Sequence, residues 1–138
     1  MPDYAGPLPV PTPETRAFWD AARRHALELP RCRACGHRFF YPRAACPRCL
    51  SGDLEWVRAS GRGTLHTFTI VHRGLRDFPL GTPYVIAIVE LDEGPRLMTN
   101  LVDVEPDPAR LRIGMPLEVV FEDVTAQVAL PRFRPAAK

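Results

Sequence analysis

The 138-residue chain lacks most of what would place it in a membrane or outside a cell. No run approaches the roughly 18 apolar residues needed to span a bilayer. The opening stretch MPDYAGPLPVPTPE has no basic n-region and no apolar h-region, so it does not read as a secretion signal. The expected compartment is the cytoplasm, where thiols stay reduced. Catalytic signatures are missing too: there is no G-x-S-x-G elbow, no P-loop and no G-x-G-x-x-G. Lysine is nearly absent, with 17 of 18 basic residues being arginine, and a GC-rich coding sequence accounts for that. Acids are absent from Leu29 to Gly52, where five arginines stand. The net charge of +2 therefore hides an uneven distribution. Residues 1–60 carry +3, residues 61–130 carry −4 and the last eight carry +3. Any anion-attracting field lies on the acid-free segment and the tail.

Cysteine is confined to one stretch, CRACGHRFFYPRAACPRC, with Cys32, Cys35, Cys46 and Cys49 in two Cys-x-x-Cys pairs. Each pair makes a tight turn that aims two sulfurs at one point, and the spacer between pairs suits a hairpin. Four soft donors at this spacing point to a zinc ribbon. A rubredoxin-like iron site uses the same ligands and stays open. A thioredoxin-type redox pair would need a βαβ context that is missing, and two disulfides would need an oxidising compartment. Four thiolates close the shell, so the metal reads as structural, holding a segment too small for its own core. His37 beside the first pair reads as a knuckle residue, not a ligand.

Proline is abundant, 16 residues with five in the first thirteen, so the leader extends without helix or central strand. Residues Thr15 to Leu29 then show helical apolar spacing through Phe18, Ala21, Ala22, His25 and Leu29. Thr12 or Thr15 would cap this helix of about three turns, and Pro30 would end it. Arg38 to Pro42 reads as a short apolar strand. From Leu54 the pattern becomes all-β, with five or six strands, a turn at Asp92-Glu93-Gly94 and a hairpin across it. The fold class is mainly β: an N-terminal helix, a zinc ribbon, then a small OB-fold-like barrel. The expected boundaries are a leader over 1–14, helix over 15–31, ribbon over 32–52, barrel over 53–131 and an exposed basic tail over 132–138.

No convincing catalytic constellation emerges. His66 and His72 sit at period two on one strand, but about 20 Å apart, too far for one site. Asp92 and Glu93 read as hairpin-turn residues. Phe39, Phe40 and Tyr41 on the ribbon, Phe78 in a loop and Phe133 in the tail suggest a surface covered by a partner or an apolar ligand. Packing of the ribbon on the barrel would instead hide the first three.

The segments FWDAARRHALELPRCRACGHRFFYPRAACPRC, GRGTLHTFTIVHR, PYVIAIVELDEGPRLMTNLVDV, RIGMPLEVVFEDV and LPRFRP together resemble the DUF35 family over nearly all of Phe18 to Pro135. The resemblance implies a rubredoxin-like zinc ribbon joined to an OB-fold, with Cys32, Cys35, Cys46 and Cys49 as the ligands. It also implies a non-catalytic partner of a thiolase-like enzyme, working in thiolytic, retro-aldol or acyl-transfer steps on acyl-CoA substrates. An α2β2 assembly would be the simplest symmetric outcome. One departure is Leu50, which follows Cys49 where a glycine is common. Coenzyme A or acyl-CoA is a candidate ligand: Arg33, Arg38, Arg43 and Arg48 would either meet its phosphates or meet acids on the partner. Nucleic-acid binding is the alternative, since ribbons and OB barrels both serve it, but the −4 charge over residues 61–130 opposes it. A free-standing enzyme ranks last, and no membrane partner is expected.

Overall fold

The computed structural model describes residues 6–74 and 81–136. Helix α1 spans Arg16–Arg23 and is followed by strands β1 (Glu28–Cys32), β2 (Leu54–Arg58), β3 (Arg62–Val71), β4 (Tyr84–Leu91) and β5 (Arg96–Leu101). A 3-10 turn at Pro108–Arg110, β6 (Pro116–Asp123) and β7 (Ala129–Pro135) complete the order. β1 and β2 form a two-stranded antiparallel sheet, and β3-β4-β5-β7-β6 closes into a barrel. The mainly-β reading with helix, ribbon and barrel holds, and no helix among the described residues is long and apolar enough to cross a membrane.

The helix is shorter than its apolar spacing suggests. The N–H of Ala26 donates to Ala21 O and that of His25 to Ala22 O, both at 2.9 Å, which is a Schellman stop with His25 at φ 58. Glycine usually marks this position, so nothing in the composition betrayed the stop. Thr15 does sit at the N-cap, but its hydroxyl makes no cap bond and instead accepts from the Thr12 N–H at 2.9 Å. The freed residues Glu28–Cys32 become β1, opposite Leu54–Arg58 in register. The strand expected at Arg38–Pro42 reduces to a single bridge between Arg38 and Arg31. Pro42 has no N–H to offer a ladder there.

β4 alternates strictly between buried and half-buried positions, facing the core on one side only. In β3 the pairing with β4 slips between Leu65 and Thr67, so His66 is the extra residue of a bulge. The bulge reverses the alternation, and His66 no longer shares a face with Phe68 and Ile70. The C-terminal segment is not an exposed tail: β7 pairs with β6 from Ala129 to Pro135. Phe133 within it is 0% exposed and belongs to the main core with Leu65, Val89, Leu101 and Leu117. The same core takes in Phe18 from the helix and Leu27 and Leu29 from the β1 side, with Trp19, Phe40 and Trp56 packed on it. One continuous apolar cluster therefore docks helix and ribbon onto the barrel.

Candidate metal centre and its surroundings

The sulfurs of Cys32, Cys35, Cys46 and Cys49 all lie within 4.8 Å of one another. Cys32 and Cys49 are 3.5 Å apart and Cys35 and Cys46 3.7 Å. Four sulfurs at ~2.3 Å from one zinc would stand about 3.8 Å apart at tetrahedral angles, so the cluster fits that ion without rearrangement. Two matching turns produce it. The Gly36 N–H donates to Cys32 O and the Leu50 N–H to Cys46 O, each at 2.8 Å. Gly36 has φ 79 and Leu50 φ 67, so Leu50 takes in the second turn the left-handed place that glycine fills in the first. His37 stays out of the sulfur cluster and stacks on Phe39 at 6.0 Å.

Four thiols this close cannot all ionise without a cation among them. Burial alone pushes the Cys46 thiol up, but main-chain N–H groups of Cys49 and Arg48 outweigh it and bring it down to about 7. Cys32 is also lowered: burial opposes this, and the N–H groups of Cys35 and Ala34 with the neighbouring thiols prevail. Cys49 is pushed up to about 12, because the lowering effect of the Ser51 N–H is overcome by the adjacent sulfurs and burial. The donor set, the closed shell and the scant apolar support (Phe39 and Leu54 beside the two buried cysteines) suit a structural metal.

The expected interface residues separate into distinct environments. Phe39 is buried beneath the metal turns, Phe40 is half-buried against Phe18, and Tyr41 is 52% exposed. Phe133 is buried, which removes it from any surface, and Phe78 lies outside the described residues. Arg33 is held by Asp53 at 3.0 Å and Glu55 at 3.6 Å. Arg38, Arg43 and Arg48 are exposed and form no ion pair among the described residues. They line a cleft of about 540 Å³ between the ribbon and the β4–β5 turn. Its far wall is Glu93, Gly94 and Pro95. Glu93 accepts from the Ser60 N–H at 2.8 Å through one oxygen, while Oε1 is buried without a partner. The turn residues were legible as a turn, but only the docking of ribbon on barrel brings them opposite the arginines.

With this geometry in view, comparison with known proteins is decisive. The chain matches the scaffold protein with a DUF35 domain of Methanocaldococcus jannaschii at 37% identity over 79% of this chain and 77% of that protein. It belongs to the DUF35 family. Residues 19–55 match the family described as ChsH2, rubredoxin-like zinc ribbon domain, and residues 56–122 match ChsH2, C-terminal OB-fold domain. A probable enoyl-CoA hydratase alpha subunit of Thermomonospora curvata is 40% identical over 87% of this chain, which spans only 37% of that longer protein. Among solved structures, a chain titled Ltp2-ChsH2(DUF35) aldolase superposes with TM-score 0.83 at 35% identity. That match covers 94% of this chain and all of the other.

Proposed function

We propose that this protein is a non-catalytic subunit of an acyl-CoA enzyme of the thiolase-like class, acting in a thiolytic, retro-aldol or acyl-transfer step. The observation that carries the reading is the superposition, over 94% of this chain and all of the other, on a chain of the structure named Ltp2-ChsH2(DUF35) aldolase. A relative named benzoylsuccinyl-CoA thiolase subunit BbsA in Geobacter metallireducens, 35% identical over 51% of this chain, supports the substrate class. The partner subunit supplies the reacting groups. This chain supplies a rigid platform, with Zn in preference to Fe fixing the ribbon, in a cytoplasmic hetero-oligomer for which α2β2 is the simplest symmetry.

Arg38, Arg43 and Arg48 are the residues we assign to the coenzyme A phosphates, since three unpaired guanidiniums around one cleft match a polyanion. The buried, unpartnered Glu93 oxygen on the opposite wall accepts from N–H donors of the same ligand or of the partner. The test is purification of the tagged protein from its native host, with mass spectrometry of what accompanies it. A stoichiometric thiolase-like chain supports the proposal. Recovery of nucleic acid, or of this chain alone when that enzyme is overexpressed beside it, contradicts it.

A further inference from the structure

A second groove lies away from the arginine cleft, over the seam of the barrel. β5 and β7 run parallel and pair at one position only, Leu101 with Phe133. From Arg96 to Asn100, β5 pairs with β4 and has no strand partner on its seam side among the described residues. The seam is bridged by side chains: the Thr99 hydroxyl donates to Pro131 O at 3.1 Å, and Arg132 Nη1 donates to Asn100 Oδ1 at 2.5 Å. Over it opens a mostly apolar groove of about 500 Å³ whose walls include Phe18, Trp19, Tyr41, Met98 and Pro131. Arg132 also lines it and is 6% exposed. Its Nε donates to Glu122 at 3.1 Å, but Nη2 is buried with no partner.

A buried guanidinium N–H without an acceptor is costly, and because Arg132 lines the groove a small turn of its guanidinium brings Nη2 to an acceptor from outside the chain. Glu122 already offsets the charge of Arg132, and Glu90 that of Arg96 at 3.0 Å. The missing acceptor is therefore best neutral, such as a peptide carbonyl. The five unpaired edge residues of β5 span about 16 Å, the length of a short extended segment. An open edge of this kind is a template for another chain. Met98, 70% exposed at its middle, is the adaptable apolar side chain suited to such a contact.

From this we infer that the seam groove is where the partner subunit docks an uncharged, apolar, extended segment, one of whose main-chain carbonyls accepts from Arg132 Nη2. The inference rests on the subunit reading above and adds the surface and the chemistry of what covers it.

The test uses the full chain and the complex purified with its co-isolating subunit. Hydrogen peroxide oxidation of Met98 is followed by mass spectrometry in both, with buried Met115 as internal reference. The expected results are strong protection of Met98 in the complex, and a loss of affinity of about tenfold or more for Met98→Glu, which forces a carboxylate into the contact. Ile113→Glu, on an exposed loop residue outside the groove, leaves affinity unchanged. If a subunit co-isolates but Met98 oxidises equally fast in both samples, this inference fails and the subunit reading stands. If no subunit co-isolates, both fail. Protection that grows with the concentration of the isolated chain would assign the groove to a second copy and also overturn the inference.

Discussion

Truncating Phe133 separates a core strand from a basic tail more sharply than any other single change. Phe133 is fully buried, opposite Val119 on β6 and Leu101 on β5, at the one ladder position joining β5 to β7. Phe133→Ala removes most of a large buried side chain where strands on both sides limit collapse. Such a change costs about 3–5 kcal/mol. Against a total stability of about 5–15 kcal/mol, that is a large share. At roughly 3–5 °C per kcal/mol for a chain of this size, Tm should fall by about 10–20 °C. Urea unfolding followed by circular dichroism, with zinc held constant, reads the change. Phe133→Leu, which keeps most of the volume, should cost less than about 1.5 kcal/mol. A loss under about 1 kcal/mol for the alanine variant would refute the placement of β7 in the barrel and restore the tail.

Other outcomes follow from the same geometry. Chelating the metal should speed amide exchange at Gly36 and Leu50, whose bonds close the two turns, while β3 and β4 stay protected; unchanged ribbon exchange would show that it holds without metal. Metal loading near neutral pH should release protons, since Cys49 is held at about 12 and must be deprotonated to bind. Affinity should then rise with pH and collapse as pH falls below the Cys46 value of about 7; calorimetry in buffers of differing ionisation enthalpy measures the protons, and a count of zero would contradict the four-thiolate site. Gly63→Ala should destabilise by about 1–3 kcal/mol, because its Cβ would stand 2.5 Å from Glu90 O, whereas Gly52→Ala, with 3.9 Å to its nearest neighbour, should stay within about 0.5 kcal/mol.

How much of this was legible in the sequence depended on how local the cause is. The metal turns were readable because each Cys-x-x-Cys closes on itself within a few residues. The β4–β5 hairpin was readable for the same reason. Strand β1 was not: ELPRC is short and holds a proline, and only pairing with Leu54–Arg58, beyond the whole cysteine segment, makes it a strand. The helix end escaped because His25 fills a left-handed position without glycine. The largest miss was β7, where Arg132 and Arg134 mask a strand. Their charges are matched by Glu122 and Glu118 on β6, at 3.1 Å each, so basic residues that read as a solvated tail belong to a cross-strand ladder. The seam groove had no sequence signal, because it exists only where helix, ribbon and two strands that are not consecutive in the chain meet.

The central claim is that this chain completes an acyl-CoA enzyme without performing its chemistry. The most direct measurement is turnover of acyl-CoA substrate by the co-purified complex, by its thiolase-like subunit after this chain is stripped away, and by that subunit with the chain restored. The account predicts that activity falls on removal, returns on restoration and is absent from this chain alone. Full activity of the stripped subunit, or turnover by this chain by itself, would contradict it.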